Sequence, residues 1–210
     1  MTNITLYGTP ISTYVRTAQL VLSAAEVDYD IKDVGIFNGD NLTDSYLKKH
    51  PFGKIPTLEI EGETLYEANA ITYFVNEKFA QGKFAPDDLW LQSRMYQIIS
   101  IINNYLYAPA VSVLTIENLV KPSQGKEIDQ AAVEGAIAPS KTALEAIETL
   151  VTGDPCLLSS ELTIADFYLI PIFFYVSKTP QFDQIMTNTP KLKDWWEAVR
   201  SLDLVQEICG

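Results

Sequence analysis

Hydrophobic and polar positions change their spacing several times along the chain, and each change predicts an element. Ile4-Thr5-Leu6-Tyr7 alternates and reads as a buried first strand. Gly8-Thr9-Pro10 breaks it. From Ser12 the spacing turns helical, with Val15, Ala18, Leu22 and Ala25 on one face. Tyr29 to Val34 predicts a second strand. Gly35 to Asn41 is turn-like, and Thr43 to Lys49 predicts a short helix. After the break Pro51-Phe52-Gly53, two short strands, Thr57-Leu58-Glu59-Ile60 and Thr64-Leu65-Tyr66, flank Glu61-Gly62-Glu63 as a hairpin. Ala70, Ile71, Phe74 and Val75 mark a helix that ends near Lys78. The predicted order is β-α-β-α-β-β-α.

Gln81 to Asp88 is polar, contains Gly82 and Pro86, and reads as a linker. Beyond it the spacing is helical, over about 88–108, 129–151, 164–177 and 190–201. The expectation is an α/β domain over 1–80 and an all-α domain over 88–210, with any chemistry at their seam near Ser12.

Composition narrows the functional classes. The chain has 210 residues, 47% hydrophobic and 20% charged, ordinary for a globular core. No stretch approaches the ~18 unbroken apolar residues of a membrane span. The richest run, Leu169 to Val176, is interrupted by Pro171. The first residues predict no secretory signal. A net charge of −12 argues against nucleic acid and anionic membrane as partners, since both need a basic footprint. Cys156 and Cys209 belong to no motif and are expected to be reduced thiols of a cytoplasmic protein. The single histidine, His50, excludes a multi-histidine metal site, and no metal is expected.

Four segments are candidates for chemistry or for capping. Thr9-Pro10-Ile11-Ser12-Thr13 leaves two hydroxyls at a helix N-terminus, where Ser12 or Thr13 caps the helix or donates to a bound thiolate. A thiol of pKa about 8.5 becomes more acidic in such a place. Pro56, in Gly53-Lys54-Ile55-Pro56-Thr57, is either an ordinary edge proline or a cis proline. In the cis case Ile55 turns its backbone outward to pair with an extended peptide. In Glu67-Ala68-Asn69-Ala70-Ile71, Glu67 and the amides after it either cap the helix or receive an amino-acid head group. Thr163 with Asp166 forms a capping box, a structural device. There is no Gly-x-Gly-x-x-Gly, so a dinucleotide cofactor is not expected.

Together these residues resemble a known family. Tyr7 to Thr13, then His50-Pro51-Phe52-Gly53-Lys54-Ile55-Pro56-Thr57-Leu58, then Glu67 to Ile71, resemble the N-terminal domain of a cytosolic glutathione transferase of serine type, phi class most of all. Leu162-Thr163-Ile164-Ala165-Asp166 resembles the capping box of the family's second domain. The resemblance spans essentially the whole chain. It implies a thioredoxin-like domain followed by a helical domain, with glutathione as co-substrate. It implies that Ser12 stabilises the glutathione thiolate, that Pro56 is cis, and that Ile55 pairs the cysteinyl backbone. Glu67 would hold the γ-glutamyl ammonium, with Asn41, Lys54 and Ala68 completing the glutathione site. A small hydrophobic electrophile would sit between the domains, against Ile11, Phe37 and the stretch Ala110 to Thr115, with Val111 and Thr115 as its walls. A homodimer is implied, with Phe52 plugging into the partner.

Two residues depart from the family pattern. Ala68 stands where the family has a serine that helps bind the γ-glutamyl carboxylate, and a lost hydrogen bond to a charged group weakens binding by about 1.5–3 kcal/mol. Asn41-Leu42 replaces a phi-like His-Lys pair and removes a cation from the glycine end, for which Lys48 and Lys49 are candidate substitutes. These departures motivate the alternative of a non-catalytic binding or assembly module, like the glutathione-transferase-like domain of the gamma subunit of translation elongation factor 1. A glutathione-dependent peroxidase is a further alternative: Ser12 where a cysteine would point to disulfide chemistry still leaves hydroperoxide reduction open, with glutathione itself as the reductant.

Overall fold

The computed structural model describes residues 3–210. The chain divides into two compact units. One runs up to Phe84 and includes Glu207–Gly210; the other is Ala85–Gln206. The dividing point lies in the polar segment that reads as a linker.

The first unit is a four-stranded sheet with helices. Its elements are β1 (Ile4–Tyr7), α1 (Thr13–Ala24), β2 (Asp30–Lys32), α2 (Asp44–Leu47), β3 (Thr57–Ile60), β4 (Glu63–Tyr66) and α3 (Ala68–Phe79). The β-α-β-α-β-β-α order expected from the sequence is the order observed. The strand order is β2-β1-β3-β4. β1 runs parallel to β2 and antiparallel to β3, and β3 and β4 form the hairpin. β1 is buried throughout, as its composition requires. β2 is shorter than Tyr29 to Val34, and its three residues are all exposed. Gly8 is obligatory after β1, because a Cβ there would lie 2.4 Å from Val15 Cγ2.

The second unit is helical: α4 (Leu89–Ile101), α5 (Lys121–Ser123), α6 (Gln130–Glu148), α7 (Ile164–Val176), α8 (Phe182–Ile185) and α9 (Pro190–Val199). The last helix, α10 (Asp203–Cys209), runs on into the segment grouped with the first unit. The helix expected over 88–108 is α-helical only to Ile101. The chain then continues as two π-helical stretches, Ile102–Leu106 and Ala108–Val120, the second of them beyond the expected helix. The axis bends by 51° between Leu89–Leu106 and Ala108–Ser123. Among the described residues no single helix is long and apolar enough to cross a membrane.

Asp166 organises this unit. The capping box at the start of α7 is present. Thr163 donates to Asp166 Oδ2 from its backbone N–H at 2.8 Å and from its hydroxyl at 2.7 Å. Oδ1 accepts from Leu157 N at 2.9 Å and from Trp195 Nε1 at 2.8 Å. A residue that reads as a local cap therefore also ties the 151–163 loop and α9 to α7. Full burial pushes its carboxyl upward, against the pull of the Thr163, Leu157 and Trp195 donors. Phe173 packs its ring against Trp195 and Trp196, at 5.1 and 5.7 Å between centroids. α9 is capped from a distance: Glu148, at the end of α6, accepts from Lys191 N and Leu192 N, both at 3.0 Å.

Replacing Asp166 by Ala strands several buried donors, each costing about 1–3 kcal/mol. Urea unfolding followed by tryptophan fluorescence should show at least about 3 kcal/mol of lost stability. A loss below about 1 kcal/mol would mean that the network is not what joins these segments.

Candidate functional site

Three turns of the first unit emerge at one end of its sheet, and strand register puts them there. Tyr7 ends β1, Thr57 begins β3 and Tyr66 ends β4. Tyr7 is paired with Thr57, and Thr57 with Tyr66. Gly8 to Ser12 follows the first of these residues, Gly53 to Pro56 precedes the second, and Glu67-Ala68 follows the third. The segments singled out in the sequence are thus neighbours in space.

In the first turn Ser12 is the N-cap of α1, with extended backbone, and is half-buried. Its Oγ accepts from Val15 N at 3.5 Å, a long and weak bond. Among the described residues nothing accepts its hydroxyl proton. The side chain of Arg16 ties the turn down, its Nε donating to Pro10 O at 2.8 Å.

In the second turn the Ile55–Pro56 peptide is cis. Two side chains hold the preceding backbone. Asn41 Nδ2 donates to Gly53 O at 2.6 Å, and Tyr46 Oη donates to Lys54 O at 2.7 Å while lying 3.1 Å from Thr57 Oγ1. Gly53 has φ +57°, and a Cβ there would lie 2.9 Å from Asn41 O. Asn41 is thus committed to the loop, with its Oδ1 buried. Ile55 packs on the buried cluster of Tyr7, Val34 and Tyr46. Lys54 is exposed at the end of this braced backbone. Burial raises the Tyr46 phenol above its ordinary range, partly offset by its bond to Thr57, which keeps it a neutral donor to Lys54. No periodicity or motif marked Tyr46 in the sequence; its role depends on contacts made eight and eleven residues away.

In the third turn Glu67 adopts φ +71°, ψ 119°, a conformation uncommon for a residue with a side chain. It is exposed, and it makes no side-chain cap. The carboxylate is therefore turned outward rather than spent on α3. The first helical bond of α3 runs from Ile71 N to Glu67 O, so Ala68 opens the helix with its amide at the positive end of the dipole. An uncommon backbone at a turn, with a solvent-facing carboxylate, fits a binding role.

Lys49 does not supply a free cation at this site. It pairs with Glu59, and its Nζ lies 4.7 Å from the Tyr7 ring centroid. Tyr7 donates to Glu59 Oε2 at 3.4 Å, and its ring is buried at the end of β1. The hydrogen bond to Glu59 raises the Lys49 ammonium, and the bond from Lys49 lowers the Glu59 carboxyl.

The residues expected to wall an electrophile pocket divide between the units. Ile11 and Phe37 belong to the first unit and are exposed, at 56% and 63%. Val111 and Thr115 belong to the second and are buried in its π-helical stretch. Thr115 spends its hydroxyl within that stretch, donating to Ala110 O at 3.0 Å. Phe52 is 68% exposed, edge-on to the rings of His50 and Tyr66. Burial lowers the His50 imidazole below its ordinary value, so the ring beside Tyr66 is neutral at pH 7.

Known domains and proteins match the chain along most of its length. Residues 2–77 match the glutathione S-transferase N-terminal domain, and residues 107–203 match the glutathione S-transferase C-terminal domain. The chain is 25% identical to glutathione S-transferase F6 of Arabidopsis thaliana, over 99% of this chain and 100% of that one. It is 28% identical to glutathione S-transferase 4 of Zea mays, over 93% and 87%. Among solved structures it superimposes on glutathione transferase F7 of Populus trichocarpa with a TM-score of 0.85. That match has 26% identity and covers 98% of this chain and 97% of that one.

The Lys49–Glu59 pair carries a pH signature. A carboxyl lowered in the folded state adds stability above its unfolded pKa of about 4.3, and that stability is lost as pH falls through the folded value. Glu59→Gln should cost about 0.5–1 kcal/mol at pH 7. The difference from wild type should shrink as pH falls below the unfolded value of about 4.3. A difference that persists undiminished to pH 3 would show that charge pairing is not its source.

Proposed function

The chain belongs to the glutathione S-transferase family, and from that premise we propose that it activates the thiol of glutathione for attack on small hydrophobic electrophiles. One observation carries the reading: a half-buried serine hydroxyl with a proton to donate, at a helix N-terminus beside a cis-proline turn and an outward-facing glutamate. The Ser12 hydroxyl donates to the sulfur and stabilises the thiolate, and the thiol proton leaves to solvent. The sulfur then forms a bond to an electrophilic carbon, displacing a leaving group or adding across a double bond. Catalysis is nucleophile activation with positioning.

The tripeptide lies along the three turns. Ile55 offers its backbone N–H and C=O to the cysteinyl residue. Glu67 takes the γ-glutamyl ammonium, and the Ala68 amide takes the γ-glutamyl carboxylate. Lys54 faces the glycine carboxylate on the backbone that Asn41 and Tyr46 brace, and so replaces the cation missing at Leu42. With Lys49 engaged by Glu59, Lys54 and the exposed Lys48 are the cations left for that end. The electrophile lies against Ile11 and Phe37, apolar side chains that the first unit leaves exposed. The protein works as a homodimer in which Phe52 enters the partner, and it resides in the cytoplasm, where Cys156 and Cys209 stay reduced. Both cysteines are buried, and burial pushes the Cys156 thiol up to about 12.

Ala68 favours one competing reading, a glutathione-transferase-like module without catalysis, because it removes a hydroxyl from the γ-glutamyl site. Excess glutathione separates the two. At ~100 times Kd it should stabilise the fold by about 2.7 kcal/mol, read as a raised Tm. No shift at millimolar glutathione would favour the module. Lys54→Met should raise the KM for glutathione several-fold and leave the KM for its glycyl ethyl ester unchanged; an equal rise for both would remove Lys54 from carboxylate recognition.

Glutathione conjugation of an aryl halide should fall at least about tenfold in Ser12→Ala, one donor to a developing or stabilised anion being worth at least that much. The fold should survive, because the cap bond lost is long. Unchanged turnover would remove Ser12 from the mechanism.

A further inference from the structure

The second unit contains a cavity of about 500 Å3. One wall is Val151 to Cys156, in the loop that follows α6. The other is Lys191, Asp194, Trp195 and Ala198, whose spacing is one face of α9. Two ties set the distance between the walls. Asp166 Oδ1 accepts from Leu157 N in the loop and from Trp195 Nε1 in α9. Lys191 Nζ donates to Val151 O at 2.8 Å. The loop is also wound tightly on itself. Thr152 N and Gly153 N both donate to Leu157 O, at 3.0 and 3.1 Å, and a Cβ on Gly153 would lie 2.1 Å from Ser159 N. The cavity is therefore pre-formed, as small-molecule sites usually are.

Its lining has an apolar floor and a charged rim. Val151, Cys156 and Trp195 are buried, and Pro155 and the half-buried Ala198 carry the apolar surface toward solvent. The Cys156 thiol, 4% exposed, makes no hydrogen bond among the described residues and stays protonated. The polar groups of the rim are not equally available. Lys191 has its ammonium on Val151 O, and its backbone N–H, with that of Leu192, goes to Glu148. The start of α9 thus has its amides and its ammonium already engaged, which disfavours an anion there. Asp154 and Asp194 are exposed and, among the described residues, make no hydrogen bond or ion pair. A net charge of −12 favours the same kind of guest as these two carboxylates, a cation.

We propose that this cavity binds a small organic ammonium ion, with its charged head at Asp194 and Asp154 and its apolar body against Pro155, Ala198 and the aliphatic stem of Lys191. All of these residues belong to the second unit, and Ser12, Ile55 and Glu67 belong to the first. The site therefore does not depend on glutathione transfer, and the two readings fail separately.

Calorimetric titration of the full chain with 4-phenylbutylamine, 4-phenylbutanol and 4-phenylbutyrate at pH 7 and low salt holds the apolar body constant and varies the charge. The amine should bind with a Kd below about 1 mM and at least about threefold more tightly than the alcohol, within the range of an exposed ion pair, and the acid should bind least. Added salt should narrow the gap between amine and alcohol. Asp194→Asn should weaken the amine at least about threefold and leave the alcohol unchanged. Ala198→Phe, which fills the cavity, should abolish binding of both; should it fail to fold, Asp194→Asn, a change at an exposed side chain, carries the comparison. Saturating glutathione should not displace the amine. An acid that binds best would assign the cavity to anions and overturn the proposal. So would an amine bound no better than the alcohol, undiminished amine affinity in Asp194→Asn, displacement by glutathione, or no heat of binding at about 10 mM amine.

Discussion

Tyr7, Thr57 and Tyr66 stand side by side across three antiparallel strands, and the candidate site follows from that register. A slip of one residue in β3 would turn its side chains to the opposite face and carry the cis-proline turn away from Ser12. Register is strongly specified here because β1 and the start of β3 are buried. Core packing, not the loops, therefore decides that hydroxyl, peptide edge and carboxylate meet. The loops add precision: Tyr46 and Asn41 fix the carbonyls of Lys54 and Gly53, and Arg16 fixes that of Pro10.

Charge works against this site and is managed locally. A chain of net charge −12 repels an anionic tripeptide at long range. In the proposed function, short-range donors therefore carry recognition: the Ser12 hydroxyl, the Ala68 amide and the Lys54 ammonium. Lys49 illustrates the limits of reading cations from sequence. It lies close to the site along the chain, yet Glu59 and the Tyr7 ring engage it. With Ala68 and Leu42 where the family pattern has polar groups, the proposed recognition leans on the backbone at 53–55, which Asn41 and Tyr46 brace.

Legibility followed the range of the interactions. β1, α1, the β3–β4 hairpin and the Thr163–Asp166 capping box are written in neighbouring residues, and the sequence shows them. The three-turn site was legible as motifs, because Ser12, Pro56 and Glu67 each sit at a break between elements. What brings them together was not, since register is a pairing between distant segments. Tyr46 as a brace and Glu148 as the cap of α9 were invisible for the same reason; the latter reaches across more than forty residues. The π-helical stretch escaped for another reason. Its buried positions, Ala110, Val111, Leu114, Thr115 and Glu117, keep a spacing that an α-helix also shows, so nothing local marks the wider register. β2 was read too long because its residues are exposed and give no apolar pattern to bound it.

The central claim is that the hydroxyl and amides at the start of α1 hold a bound sulfur ionised. Ultraviolet titration of the thiolate in the complex with glutathione reads this directly. The account predicts an apparent pKa for bound glutathione well below the free-thiol value of about 8.5, moving back toward it in Ser12→Ala. Bound glutathione that titrates like the free thiol in the wild-type protein would contradict it.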